Sequence, residues 1–495
     1  MIKQEDIDAL RNKKIKAQNL FIGSKQMPAQ SAETIEVISP IDGKILTSIA
    51  NANLDDVDKA VITARKSFES GSWSKAAPQE RKKVLNKFAE LIELNAIELA
   101  VLGVRDNGTE INMAIMAEPS SAAACIRYYA ETIDKMYGEI APTSENILGL
   151  IHREPIGVIG AIIPWNFPLM IASWKFAPAL CAGNSVVIKP AESASLSLLR
   201  IAELAAEAGI PDGVFNVITG DGEITGKALA MHMDVDVIAF TGSGVVGRKI
   251  LEYSARSNLK RVYLELGGKS PNIVFADTKD IDKAVTHSLG GIFRNSGQVC
   301  VAGSRLIIEE SIADEFTEKL ISESKKLIVG DPLNLTSNIG AIASQDQLNK
   351  NLNYVKSAIT EGAILKSGGK QINQELGGFY MEPTVFTSIN NNMKIAQEEV
   401  FGPVLSILTC KDEAEAVKIA NATVYGLAAA VWTADLSKAH RMVRSIRAGV
   451  VHVNCYGGAD LTVPLGGVKQ SGNGHDRSLH ALEKYTDLKT AWISL

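Results

Sequence analysis

The chain is poor in cysteine, with five in 495 residues: Cys125, Cys181, Cys300, Cys410 and Cys455, none forming a CxxC pair. So dispersed and odd a set excludes a disulfide framework and predicts reduced thiols in the cytoplasm. Long hydrophobic runs are missing too. No stretch approaches the roughly 18 uninterrupted apolar residues of a membrane span. The opening MIKQEDIDALRNKKIKAQ lacks the apolar core of a signal peptide. Nor is there a block of one charge. The formal net charge of −5 is spread along the chain, which argues against nucleic acid, whose recognition needs a basic surface. No internal repeat or low-complexity linker appears. What remains is an ordinary globular composition in a chain too long for one core, so two or three domains are expected.

Residues 55–103 read as helical, because apolar residues recur at three- and four-residue spacing. From about 151 the pattern changes. GVIGAIIP, NSVVIKP, VFNVITG, VDVIAFTG and VYLELGG read as strands. WKFAPALCAG and SLSLLRIAELAAEAG read as helices between them. Such alternation predicts βαβ units around a parallel sheet, and continuously apolar strands predict burial on both faces. A second alternating set, from NIVFA and RLIIEE to GVVHVN, is enough for a second α/β domain. The final KTAWISL is a short apolar strand whose exposed edge is suited to pairing with another subunit.

Gly242-Ser243-Gly244-Val245-Val246-Gly247 matches GxGxxG between the apolar run Val235–Phe240 and a helical stretch. That context brings backbone N–H groups and a helix N-terminus to a pyrophosphate. The usual fingerprint has a ribose-binding acid about 20 residues later. Glu265 stands near that spacing. Lys189-Pro190-Ala191-Glu192, after the strand SVVIK, offers a second ribose candidate. The competing reading there is an ordinary helix start, with Pro near the first position and Glu in the first turn. The residues alone leave this fork open.

Three further motifs carry chemistry. Asn295-Ser296-Gly297-Gln298-Val299-Cys300 puts a cysteine after a small, polar, turn-forming stretch, where a thiol is accessible. Most free cysteines are inert core residues, and Cys125, Cys181 and Cys410 read that way. Pro164-Trp165-Asn166-Phe167-Pro168 fixes Asn166 at a strand end, where its amide either donates to an oxyanion or caps a helix. Leu264-Glu265-Leu266-Gly267-Gly268-Lys269 suggests a partly buried carboxylate whose raised pKa suits a base.

Together with KPAE, FTGS, EEVFGPV and PLGGVKQSGNG, these motifs resemble the aldehyde dehydrogenase superfamily in order and spacing, from about residue 20 to the end. The resemblance implies that family's α/β fold. A Rossmann-like cofactor domain would comprise 1–136 and 156–266. A parallel-sheet catalytic domain would comprise 267–469, and a small β oligomerisation arm 137–155 and 470–495. It implies Cys300 as nucleophile, Asn166 and the Cys300 N–H as oxyanion donors, Glu265 as the water-activating base, and Lys175 in the catalytic set. It resolves the fork: Glu265 is the base, and the GxGxxG match is partly coincidental. NAD, with NADP as the lesser option, would be held by Ile163, Pro164, Trp165, Lys189, Glu192, Gly222, Phe240, Thr241, Gly242, Ser243, Gly244, Val245, Val246, Gly247, Leu266, Gly267, Glu399 and Phe401. No metal is implied. A homodimer or homotetramer is.

Within the superfamily, the C-terminal stretch and the segments ETIDKMYGEI and WKFAPALCAGNS look most like bacterial γ-glutamyl-γ-aminobutyraldehyde dehydrogenases of putrescine breakdown. The substrate would meet Phe167, Ile171, Trp174, Val299, Val301 and Leu465. Asp460, in the loop GGADLTVP, would pair with an ammonium, or else is a solvated loop residue. Glu118 is a weaker candidate for that pairing. Two departures from the family pattern, Leu465 for a common Phe and Asp106-Asn107-Gly108-Thr109-Glu110 for DTGKP, fall near the expected tunnel. A general aliphatic, aromatic or betaine aldehyde dehydrogenase is the alternative within the family. A cysteine acyl hydrolase or transferase is the alternative outside it, and would need a histidine at Cys300. A non-catalytic member of the fold is disfavoured by the retained Cys300, Glu265 and Asn166.

Overall fold

The alternating strands and helices assemble into two seven-stranded sheets in the computed structural model, which describes residues 2–458 and 460–495. Met1 and Ala459 of the GGADLTVP loop lie outside the described residues. The first sheet runs Arg261–Glu265, Val237–Thr241, Val158–Ile162, Ser185–Lys189, Phe215–Val217, Leu20–Ile22, Lys25–Met27. Its first five strands are parallel and the last two antiparallel. Chain order reverses between Val158–Ile162 and Val237–Thr241. In an open α/β sheet, ligands bind outside the carboxyl ends of the strands at such a switch point. The residues that follow those two ends are Ile163–Asn166 and Gly242–Ser243, so topology alone directs a ligand to the motifs singled out above.

The second sheet runs Ile364–Ser367, Thr384–Thr387, Val404–Cys410, Arg305–Glu309, Pro271–Val274, Ala428–Trp432, Val450–Val453, parallel except at its first strand. A third, antiparallel sheet joins Glu139–Ala141, Ile147–Pro155 and Thr486–Ser494, with Thr486–Ser494 in register along the whole of Ile147–Pro155. The terminal strand therefore pairs first within its own chain. Its other edge has no strand beside it among the described residues.

The stretch 55–103 is not one helix but parts of three: Leu54–Ser70, Pro78–Leu94 and Ala96–Asn107. Asn53 caps the first, accepting from Asp56 N at 3.0 Å. Gly71, at φ 80°, ends it in the left-handed region that glycine enters without strain. Helix Pro168–Ala182 begins with proline at its first turn and is buried along almost its whole length. Ile171, Trp174 and Lys175 share one face of it, at the i, i+3, i+4 spacing of a helix.

Candidate active site

Cys300 follows a turn in which three consecutive residues are left-handed: Asn295 at φ 48°, Ser296 at φ 53° and Gly297 at φ 73°. Two of them are not glycine, so the backbone is strained and needs outside support. The supports are specific. Glu110 Oε1 accepts from Asn295 N at 2.9 Å, and Thr109 Oγ1 donates to Asn295 Oδ1 at 2.8 Å. Gln298 Oε1 accepts from Ala343 N at 2.9 Å. A Cβ at Gly297 would stand 2.1 Å from Gly402 O, which no side chain tolerates. Of the segment Asp106–Glu110, expected near the substrate tunnel, Thr109 and Glu110 thus support the turn before Cys300, while Asp106 accepts from Leu196 N at 2.9 Å. Asn166 joins the same turn, its Nδ2 donating to Gln298 O at 2.9 Å. Among the described residues nothing accepts from the Cys300 N–H.

Cys300 is half-buried, whereas Cys125, Cys181 and Cys410 are buried as packing residues. Burial, and then the charges of Glu399 and Glu265, push the Cys300 thiol up to about 12. It rests protonated and needs a base to become a nucleophile.

Glu265 ends strand Arg261–Glu265 and is 7% exposed, with Oε1 unpartnered. Gly474 faces it so closely that an added Cβ would be 3.3 Å from Oε1. Behind it lies a buried ionic cluster. Asp476 accepts from Lys175 Nζ at 2.9 Å and from Lys484 Nζ at 2.5 Å. Burial acts against the charge of Asp476, yet the two lysines hold its pKa below the ordinary range. Burial, and then the Asp476 charge, hold Glu265 well above the ordinary carboxylate value, against the pull of Lys175, Lys484 and Arg477. A carboxyl of raised pKa, close enough to Cys300 to act on its charge, has the character of a general base or acid. Asp476, two residues after the motif PLGGVKQSGNG, stands 301 residues from Lys175 in sequence, and Lys484 further still. Only the fold brings them to Lys175.

On the other side of Cys300 opens a cavity of about 160 Å³ lined by Pro164, Trp165, Asn166, Ile171, Thr241, Gly242, Ser243, Leu266, Gly267, Cys300, Glu399 and Phe401, together with Gln347 and Lys350. It lies at the switch point of the first sheet. The paired glycines of LELGGKSP serve close approach: a Cβ at Gly267 would meet Glu399 Oε2 at 2.2 Å, and one at Gly268 would meet Cys300 O at 2.4 Å. Gly268 N donates to Glu399 Oε1 at 2.9 Å, while burial pushes Glu399 up to about 7. Phe401, at φ 58°, meets Trp165 edge-on at 5.2 Å between centroids. Gln347 fastens this loop by donating to Val400 O and Phe401 O, a tie with no motif to announce it.

Ser243 caps helix Gly244–Ala255, its Oγ accepting from Val246 N at 3.3 Å. Val245 and Val246 are exposed in that first turn. Gly247 serves packing, since a Cβ there would press on Leu266 at 2.8 Å. At the end of the neighbouring strand, Lys189 Nζ meets Glu192 Oε2 at 3.1 Å, the lysine buried and the glutamate half-exposed. Ile163 N donates to Lys189 O, and Phe240 is buried in its strand. Gly222 lies outside the cavity, in the turn Gly222–Gly226, whose Glu223 pairs with Lys249 at 2.6 Å.

Phe167, Trp174 and Val299 are buried, and Val301 and Leu465 partly so, in the apolar cluster next to Cys300. Asp460 is exposed and caps its own loop, Oδ1 accepting from Thr462 N at 2.8 Å and from Thr462 Oγ1 at 2.6 Å. Glu118 is buried, accepts from Met170 N at 2.9 Å, and is pushed up by burial to about 8, so it is mostly uncharged at neutral pH. Among the described residues no histidine hydrogen-bonds to Cys300. His287 and His452 are gathered instead about Tyr456.

Comparison with known proteins agrees with this geometry. The model of the aldehyde dehydrogenase family matches residues 27–491. The NADP/NAD-dependent aldehyde dehydrogenase PuuC of Escherichia coli is 48% identical over 96% of this chain and 95% of its own. An indole-3-acetaldehyde dehydrogenase crystallised with NAD+ superposes with a TM-score of 0.98 at 50% identity, covering both chains fully. A γ-glutamyl-γ-aminobutyraldehyde dehydrogenase from Burkholderia cenocepacia gives 0.98 at 48%, again over both whole chains.

Proposed function

The chain belongs to the aldehyde dehydrogenase family, and we propose that it oxidises γ-glutamyl-γ-aminobutyraldehyde or a related ω-aminoaldehyde of putrescine breakdown to the carboxylic acid. It is an NAD(P)-dependent enzyme. The crevice fits a dinucleotide: Thr241 Oγ1 is buried without a partner, a helix N-terminus opens beside it, and Lys189 and Glu192 stand at the next strand end. Ile163–Trp165, Thr241–Val246, Leu266, Gly267, Glu399 and Phe401 would hold it, with Lys189 and Glu192 at the adenosine ribose. The carboxylate of Glu192 would repel a 2′-phosphate, which favours NAD over NADP. When bound, the nicotinamide accepts the hydride.

The observation that carries the mechanism is that Cys300 and Glu265 share one site, the first half-buried and the second a buried carboxyl of raised pKa. The thiol gives up its proton to water, and the thiolate attacks the aldehyde carbon. The Asn166 amide and the Cys300 N–H hold the resulting oxyanion. Departure of hydride leaves a thioester on Cys300. Glu265 takes a proton from water, which hydrolyses the thioester, and passes it toward the Lys175–Asp476–Lys484 cluster.

Relatives of nearly equal identity act on different aldehydes, so substrate choice rests on the tunnel residues. We expect γ-glutamyl-γ-aminobutyraldehyde to exceed propanal and indole-3-acetaldehyde in kcat/KM by tenfold or more. A preference for either of the latter would overturn the substrate assignment while leaving the chemistry intact.

The free edge of Thr486–Ser494 carries exposed Leu488 and Trp492, at 63% and 66%. Such an edge favours pairing with a second copy of the chain, so a homodimer or homotetramer is proposed. Trp492→Lys should lower the mass seen by light scattering. An unchanged mass would remove this strand from the interface.

A further inference from the structure

Two guanidinium groups, Arg294 at the head of the turn that leads to Cys300 and Arg477 over the Trp174 ring, have donors with no partner among the described residues. Arg294 follows helix Ile281–Phe293 and opens the left-handed turn that leads to Cys300. Its Nε is buried without a partner among the described residues. The group lies against the loop after Cys455, where a Cβ on Gly457 would stand 3.1 Å from Arg294 Nη1. Arg477 is 4% exposed, and both its Nε and Nη1 are buried without a partner among the described residues. Its Cζ stands 5.4 Å from the ring centroid of Trp174.

The backbone is strained to put Arg477 there, with φ 64° at Arg477 and 52° at Ser478. Ser478 N donates to Leu461 O at 2.7 Å, tying the strained pair to the loop that carries Asp460. The charges of Arg294 and Arg477 both act on His452, which places that imidazole near each of them. Arg294 also acts on Cys300.

Asp476, Glu265 and Asp460 act on Arg477, and Glu110 on Arg294, only from beyond ion-pair distance. Neither arginine has an ion-pair partner within 4.0 Å among the described residues. Glu110 spends one oxygen on Asn295 N, Asp460 is committed to Thr462, and Asp476 is held by two lysines. Buried polar groups are nearly always paired, and an unpaired buried charge costs several kcal/mol unless a ligand completes it. Arginine presents its donors in a planar fork that matches a carboxylate.

We propose that Arg294 and Arg477 form an anion subsite of the acyl pocket, which takes a carboxylate carried by the aldehyde at its far end. This rests on the aldehyde-oxidising site described above and narrows its substrate class. The carboxylate is either the α-carboxylate of a glutamyl group or the ω-carboxylate of a semialdehyde. A bare ω-aminoaldehyde would meet charge of its own sign.

The test is steady-state kinetics on 5-oxopentanoate against its neutral counterpart pentanal, with 4-aminobutanal and γ-glutamyl-γ-aminobutyraldehyde as further arms. In the wild type, kcat/KM should favour 5-oxopentanoate over pentanal at least tenfold. Arg294→Gln and Arg477→Gln should each lower that ratio tenfold or more, mainly through KM, and Arg294→Lys should restore part of it. A wild-type preference for pentanal or 4-aminobutanal, or an unchanged ratio in both Gln variants, overturns the subsite. An effect at one arginine alone overturns its two-residue form. If Arg477→Gln does not fold, the ratio in Arg294→Gln and Arg294→Lys decides. Poor turnover of the γ-glutamyl arm beside strong selection of 5-oxopentanoate would refute the substrate assignment and keep the subsite.

Discussion

Replacing Cys300 by alanine should abolish NADH formation, with a loss on the order of 10⁴-fold or more, while NAD binding survives. The two effects separate because different parts of the structure produce them. The cofactor crevice is made by the strand ends at Ile163–Asn166 and Thr241–Ser243 and by Glu399 and Phe401. The backbone of the nucleophile's turn is fixed by Glu110, Thr109, Gln298 and Gly297, none of which involves the Cys300 sulfur. Removing one sulfur atom therefore leaves both in place. No other thiol can take over. Cys125, Cys181 and Cys410 are buried in packing, and Cys455 does not line the cavity. Stopped-flow absorbance with γ-glutamyl-γ-aminobutyraldehyde, beside calorimetric NAD titration, checks both halves. Retained turnover in a variant that binds NAD normally would end the covalent mechanism.

The two parallel sheets were legible because their strands are short, apolar and separated by helices, a pattern that local sequence carries whole. The terminal strand was legible as an edge, but its grouping with 137–155 came from the family resemblance alone, because strand pairing over so long a separation leaves no local mark. Cys300 and Glu265, the proposed nucleophile and base, stood out through motif order. Their supports did not. Glu110 reaches Asn295 across a separation of 185 residues, and Lys175 reaches Asp476 across 301. Neither contact has any periodicity or spacing to betray it. The contacts of Thr109 and Glu110 were hidden for the same reason: a change of composition shows that something differs, not what the residues touch. Arg294 sits immediately before the motif read as Asn295–Cys300, and a charged residue at a helix end draws no notice until its side chain is seen to lack a partner. Asp460 stood out in the sequence as a lone loop carboxylate, and the fold shows it occupied with Thr462.

Glu265→Gln should give a rapid burst of about one NADH per site followed by turnover slowed about 10²- to 10⁴-fold, the usual worth of a positioned base. The amide keeps the shape of the site but cannot take a proton from water, so the thioester forms and then waits. The pH dependence follows from the environment of Glu265. Burial and the Asp476 charge raise its pKa well above the ordinary carboxylate range. The group is therefore protonated, and inactive as a base, at pH values where an ordinary glutamate would be ionised. Wild-type deacylation should climb as pH rises through that raised value, and the rising limb should vanish in Glu265→Gln. Asp476→Asn gives the sign a second check. Removing the negative charge that stands behind Glu265 should move the limb to lower pH, provided Lys175 and Lys484 remain in place to favour the carboxylate. A Glu265→Gln enzyme that instead showed no burst, an unaltered limb and weakened NAD binding would return Glu265 to the ribose.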